Sequence, residues 1–195
     1  MKSRISRVTT KTGDSGYTGI SNGSRISKNH PLIHVLGDVD ELNAFIGLFI
    51  HELKNSFKLK ETDKIANILT KVQHILFDIG GEISSPGIKL VSEKKVIEIT
   101  KQINELNKNL SPLKEFILPG GSKLSSLAHL SRTVARRAER NLVGFLESDD
   151  CPSSNIKNTC LPYLNRLSDL LFVISRCLMD IEKKDDVFWE KPEVN

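Results

Sequence analysis

Cysteine is scarce in this chain: Cys151, Cys160 and Cys177 are the three among 195 residues. An odd count without metal-type spacing argues against a disulfide framework, shows no zinc site and makes a reducing compartment the expected setting. Long apolar runs are missing too. No stretch approaches a membrane span, and the start MKSRISRVTTKTGDSG lacks the apolar segment of a secretory signal. A Gly-rich motif begins near residue 10, so no cleaved presequence is expected before it, and a cytoplasmic location is. Neither sign of charge dominates: 28 Lys and Arg are interspersed with 24 Asp and Glu, a formal net charge of +4, which gives little support to a nucleic-acid binder. Internal repeats, alternating strands and any Ser–His–Asp or Cys–His arrangement are also absent, so nothing points to a side-chain nucleophile.

What the chain does have is arginine, concentrated in SKLSSLAHLSRTVARRAERNLVGFL, residues 122–146. At about 100° per residue, Leu127, Leu130, Val134, Ala138, Leu142 and Phe145 share one face, the expected core face of a helix. His129, Arg132, Arg136 and Glu139 gather in an arc of about 80° on the far side, and Arg137 and Arg140 form a second stripe between that arc and the core. Lysine is common elsewhere, yet RTVARRAER uses only guanidinium groups, which suit bidentate recognition of phosphate or carboxylate. The alternative is a solvated basic face. Gly120 and Gly121 permit a tight path into this helix, and Ser122 is a good N-cap.

Residues 8–29, VTTKTGDSGYTGISNGSRISKN, combine Gly, Ser, Thr, Asp and Asn with little apolar periodicity and read as an irregular loop. Gly13, Gly16 and Gly19 allow backbone amides to approach an anion, Thr10, Thr12 and Thr18 offer hydroxyls, and Lys11 and Lys28 supply charge. The GxxxxGK[ST] order of a P-loop is absent, and a Gly-rich leader without a ligand is the alternative. Helix one is expected over Val39–Leu53, with Asp38 as N-cap, Leu42, Phe45, Ile46, Phe49 and Leu53 inward, and Asp40 and Asn43 off that face. A second helix over Thr62–Glu82 is expected to end near Gly80 and Gly81, and a third to run from Ser92 to Leu110, closed by Pro112.

After the Arg-rich helix, ESDDCPSSN reads as a polar linker. A last helix from Cys160 to Lys183 buries Leu164, Leu167, Leu171, Ile174 and Leu178, with Asn165, Asp169, Phe172 and Arg176 in a stripe beside the core. Asn165 and Asp169 either address a ligand or bond the arginines of the preceding helix. In the tail, Phe188 and Trp189 are aromatic groups not expected to be left wholly in water. Five long helices with short connections predict an all-α, up-and-down five-helix bundle carrying an irregular Gly/Thr-rich N-terminal loop. The Arg132–Arg136–Glu139 stripe, lying opposite the core face, then either meets water or faces another subunit.

Three segments carry a resemblance. TKTGDSGYTG with SRISKNHP and GDVDELNAFIG, then FILPGG with HLSRTVARRAER, then YLNRLSDLLFVISR, resemble in that order the ATP:cob(I)alamin adenosyltransferases of the propanediol-utilisation type. The resemblance spans most of the chain and implies one domain over 1–195: a nucleotide-binding loop in 1–37, a helical bundle in 38–184 and a tail in 185–195. It implies transfer of the 5′-deoxyadenosyl group of ATP to the cobalt of cob(I)alamin or a related corrinoid, with release of triphosphate. It also implies a homotrimer with ATP and cobalamin between subunits, Mg²⁺ bound with ATP and not at a dedicated protein site, and an outside reductase as the source of Co(I).

The roles implied by the resemblance place Thr10, Lys11, Thr12, Gly13, Asp14, Gly16, Thr18 and Lys28 around the triphosphate. Arg132, Arg136, Arg137, Glu139 and Asn165 match positions around ATP and its Mg²⁺ or at the subunit junction; Asp40 matches a partner of the first arginine. Arg132, Arg136, Glu139 and Asp40 are thereby the implied catalytic set, and Phe116 matches an apolar residue beside the corrinoid. Lys11 stands where arginine is frequent in the family, KNHP stands where KDDP is common, and Asp38 is given no function. A nucleic-acid binder laying RTVARRAER along phosphates, and an ATP-using kinase or hydrolase, are the rival readings.

Overall fold

A computed structural model describes residues 8–56, 59–85, 87–148 and 154–192. In chain order it contains β1 (Tyr17–Gly19), β2 (Arg25–Ser27), α1 (Pro31–Ser56), α2 (Lys60–Ser84), α3 (Glu93–Asn107), α4 (Lys123–Leu146), the short α5 (Ser154–Asn158) and α6 (Cys160–Ile181). The five long helices are those expected from the periodicity. Helix α5 begins at the end of the expected polar linker and runs past it towards α6; Cys151 of that linker lies outside the described residues.

Several boundaries differ, each for a local reason. Helix α1 begins at Pro31, well before Val39. Its apolar spacing continues upstream through the buried Leu32 and Val35, proline fits a first turn that needs no N–H, and His30 Nδ1 accepts the Leu32 amide at 3.2 Å. Asp38 is therefore inside the helix and not its cap. Helix α2 continues through Gly80 and Gly81 to Ser84. A Cβ on Gly81 would lie 2.9 Å from Leu90 Cδ1, so the small residue admits the following loop and does not stop the helix. Helix α3 ends at Asn107, where the Leu110 amide turns back to the Asn107 carbonyl at 3.1 Å.

The long helices close into a ring in the order α2, α1, α4, α6, α3. Antiparallel neighbours are marked by Glu52–Lys123 and Asp38–Arg137 between α1 and α4, and by Asn165–Glu139 and Ser122–Glu182 between α6 and α4. Five alternating helices in a ring leave one parallel pair. That pair is α3 and α6, where the Cys177 thiol reaches the Leu106 carbonyl. The core runs down the ring axis through Leu42, Ile46, Phe49, Leu69, Leu76, Leu142, Phe145, Leu164 and Leu171, all fully buried.

The N-terminal segment is more ordered than an irregular loop. Strands β1 and β2 pair antiparallel with Tyr17 opposite Ser27, Thr18 opposite Ile26 and Gly19 opposite Arg25. Ile20 and Ile26 pack against the core, and the Ser21 hydroxyl donates to the Ser84 carbonyl at the end of α2. That end is itself anchored by the buried carboxylate of Glu82, which accepts the Leu90 and Val91 amides at 2.9 Å each and the Asn155 side-chain amide. A buried carboxylate requires such a set of donors. At the other end of the bundle the tail pairs with the α3–α4 connection: Leu118 N to Val187 O and Trp189 N to Phe116 O, both 2.7 Å. Among the described residues no helix is long and apolar enough to cross a membrane.

Candidate active site

Helix α4 starts where expected, on a cap with two partners. Ser122 Oγ accepts the Ser125 amide at 3.1 Å and donates to Glu182 Oε1 at 2.6 Å. Just before it, Gly121 takes φ +84°, and a Cβ there would fall 2.3 Å from Met179 Cε. Both contacts tie the start of α4 to the end of α6. They hold the Arg-rich turns of α4 between α1 on one side and α6 on the other.

The two stripes of α4 accordingly meet different partners. Arg137 donates from Nε to Asp38 Oδ1 at 3.0 Å and from Nη2 to Glu41, while Asn141 donates to the other oxygen of Asp38. Arg137 thus ties α4 to α1 and is not free to take a phosphate in this arrangement. Asp38, given no function from the sequence, is its principal partner. The complementary Asp38–Glu41 spacing on one face of α1 was the available signal.

The other stripe is not opposite the core. His129 is 4% exposed, packed edge-to-face on Phe172 with ring centroids 6.2 Å apart. Leu130, expected inside, is 45% exposed. Val134, Ala138, Leu142 and Phe145 are buried as expected, and Leu124, Ala128 and Ala135 join them, which turns the His129–Arg132–Glu139 side towards α6. Arg132 Nε donates to His129 Nδ1 at 3.4 Å. Burial, then the Arg132 charge, pushes the His129 imidazole below its ordinary pKa; burial, then Arg136, lowers the Arg132 guanidinium. The imidazole is thereby kept neutral, an acceptor for Arg132.

Between α4, α6 and the α3–α4 connection lies a cleft of about 660 Å³, with Arg132 and Arg136 on one wall and Phe116, Ile117 and Phe172 on another. Phe116 is 77% exposed and meets Trp189 of the tail edge-on, ring centroids 6.5 Å apart. Asp169 also faces this cleft but pairs with Arg166 of its own helix at 3.4 Å. Asn165 donates to Glu139 Oε1 at 2.8 Å and accepts at Oδ1 from Arg166 Nη1 at 2.6 Å, so on α4 it bonds the glutamate and not an arginine. Arg176 is bound to Asp186 at 3.2 Å and to the Ser111 carbonyl at 2.8 Å, fixing the tail beside the cleft.

The N-terminal residues form a second cluster. Lys11 adopts φ +59°. The Asp14 amide returns to the Lys11 carbonyl, and Lys28 N bonds the Gly16 carbonyl at 2.8 Å. Thr10 and Thr12 share a hydroxyl bond of 2.9 Å, and a Cβ on Gly13 would lie 3.1 Å from Lys28 Nζ, which puts the ammonium over the turn. Thr18 sits on β1. None of these residues lines the cleft of Arg132 and Arg136, and Asp40 is exposed on α1 while Arg132 bonds His129. The two clusters therefore lie apart on one chain.

By fold and site this is a helical bundle with a cleft both cationic and apolar, and a separate Gly/Thr-rich hairpin. The profile of the cobalamin adenosyltransferase family matches residues 8–178, and the chain belongs to that family. It is 44% identical over 194 residues to the cobalamin adenosyltransferase of Cupriavidus metallidurans, covering 98% of each chain. To the corrinoid adenosyltransferase of Bacillus subtilis it is 38% identical over 196 residues, covering 96% of this chain and 94% of that one. It is also similar to a solved structure of a variant PduO-type ATP:corrinoid adenosyltransferase from Lactobacillus reuteri complexed with cobalamin and ATP. There the TM-score is 0.83 and the identity 29%, covering 95% of this chain and 100% of that one.

Proposed function

We infer that the protein transfers the 5′-deoxyadenosyl group of ATP to the cobalt of cob(I)alamin or a related reduced corrinoid, releasing intact triphosphate and forming adenosylcobalamin. The observation that carries this reading is the cleft itself, where two guanidinium groups face an apolar wall of Phe116, Ile117 and Phe172. One wall suits a polyanionic leaving group and the other a macrocycle. The nucleophile is cobalt, a substrate atom: its electron pair forms the bond to the ribose C5′, and the C5′–O pair departs on the triphosphate. No proton moves, so no general base is required. The chain's task is to hold positive charge where negative charge accumulates, and one such preorganised donor contributes roughly 3 kcal/mol.

Arg132 and Arg136 are the groups placed for that task in the cleft, with His129 neutral behind Arg132. Glu139, held by the Asn165 amide on the helix that carries both arginines, offers a carboxylate of the kind Mg²⁺ takes beside phosphate oxygens. Bound with ATP, Mg²⁺ would neutralise charge on the triphosphate. The hairpin cluster from Thr10 to Lys28 is assigned to the triphosphate, and Phe116 to the corrinoid. Since the two clusters lie apart on one chain, the complete site is assembled by a neighbouring copy in a homotrimer, where Asp40 of one subunit can meet Arg132 of another. A reductase supplies Co(I), and a cytoplasmic setting suits so strong a reductant. A nucleic-acid role is disfavoured because Arg137 is engaged by Asp38 and Glu41 and Arg132 is half-buried, which leaves no continuous basic face.

The test is an anaerobic assay with chemically reduced cobalamin and Mg-ATP. Adenosylcobalamin and intact triphosphate in equal amounts are expected. Phosphate or diphosphate without a cobalt–carbon product would overturn the reading in favour of a hydrolase or kinase.

A further inference from the structure

An anion-binding turn needs amides facing its ligand and carbonyls facing away, because a bare carbonyl oxygen repels phosphate. In the N-terminal segment the carbonyls of Lys11, Gly13 and Gly16 are taken by the backbone amides of Asp14, Gly16 and Lys28. Among the described residues no such amide reaches those of Thr12 and Tyr17. Both are bound by one side chain: Arg25 Nη2 donates to the Thr12 carbonyl and, at 3.0 Å, to the Tyr17 carbonyl. Arg25 stands on β2, directly across the ladder from β1. It takes part in none of the ion pairs among the described residues, so its charge is not spent on a carboxylate.

We propose that Arg25 is a positioning residue for the triphosphate: by binding the Thr12 and Tyr17 carbonyls it turns them towards its guanidinium and holds the Lys11–Gly16 turn open to phosphate before ATP arrives. This deepens the assignment of the hairpin to the triphosphate and rests on it. The terminal NH₂ of Arg25 suits the task, with one in-plane hydrogen for each carbonyl. Guanidinium can serve two carbonyls in a fixed plane, whereas an ammonium is a point donor on a flexible stem. The tip of the hairpin, bonded to Ser84 through Ser21, gives β2 a fixed footing on the bundle from which Arg25 can act.

The experiment compares full-length wild type, Arg25→Ala and Arg25→Lys in two measurements. The first is amide hydrogen exchange over residues 10–19 and at Lys28 without nucleotide. The second is titration with Mg-ATP and with inorganic tripolyphosphate, beside KM and kcat for ATP. In Arg25→Ala, exchange in the segment should rise about tenfold and both polyphosphate affinities fall about tenfold, the effect of losing a charge-assisted hydrogen bond. KM should rise with kcat nearly held, and Arg25→Lys, which keeps the charge, should rescue neither readout. Unchanged exchange in Arg25→Ala without nucleotide, or affinity restored by lysine, overturns the positioning role and makes Arg25 a direct charge contact. Faster exchange with unchanged polyphosphate affinity overturns the proposal from the other side, by removing the hairpin from the phosphate site.

Discussion

Whereas Arg137 is committed to Asp38 and Glu41, Arg136 is exposed at the cleft and, like Arg132, has no acidic partner among the ion pairs of the described residues. A bidentate contact there would tighten as charge builds on the departing triphosphate. Arg136→Lys should therefore lower kcat roughly 10- to 100-fold with a smaller change in ATP affinity. Anaerobic steady-state adenosylation beside a thermal melt checks this, and unchanged turnover removes Arg136 from the catalytic set. Phe116 has the opposite chemistry. Its ring is largely exposed and edge-on to Trp189. Phe116→Ala should leave ATP binding within about twofold of wild type, since no polar contact is lost, and impair reaction with Co(II) corrinoid plus reductant; a defect confined to ATP binding rejects the assignment. His129 supplies a pH test. Its folded pKa lies below the ordinary 6.5 because of burial and Arg132, so the unfolded chain binds the proton more readily. Stability contributed by His129 is present above that ordinary value and is lost as pH falls from there through the lowered folded value. The melting temperature should fall over that window, and less steeply in His129→Gln; an identical slope in the variant excludes the imidazole as the source.

The element that sets the cleft is α4, and its start depends on one glycine. Gly121 occupies the left-handed region at φ +84° and lies against Met179 of α6. Gly121→Ala should cost about 1–2 kcal/mol from the backbone alone, lowering the melting temperature by several degrees. The methyl group must also displace the Met179 terminus and so disturb the register of α4 on α6. Calorimetry would show the loss, and a melt unchanged from wild type would mean that the turn relaxes freely. The same helix shows how periodicity can be right about type and wrong about facing. A wheel centred on Leu127 and Leu130 sent the arginines outward. Ala128 and Ala135 proved fully buried beside the expected Val134, Ala138, Leu142 and Phe145, which shifted the inner face, and Leu130 was left at the surface.

At the scale of the whole molecule the separation of the hairpin cluster from the Arg132–Arg136 cleft is the decisive feature. On the assignment proposed above, a monomer with the two clusters apart cannot hold one ATP between them. Light scattering should give three times the 21.8 kDa protomer mass. Activity per chain should fall on dilution below the assembly range. A monomer retaining full activity at low concentration would sink the shared site.

The amino-acid sequence alone determined the helical class, four of the five long helices to within a few residues at most ends, the Ser122 cap and the choice of arginine over lysine in α4, because each rests on short-range periodicity or local chemistry. The start of α1 was legible as well in Leu32, Val35 and Pro31, although the polar residues before it masked the signal. Only the tertiary structure decided where the charges went. Asp38 and Glu41 met Arg137, Asn165 met Glu139, His129 turned inward against Phe172, and Arg25 reached the Thr12 and Tyr17 carbonyls. Those pairings join residues far apart in the chain, and which of several equally charged groups meets which is fixed by how the helices pack, a property that no local pattern encodes.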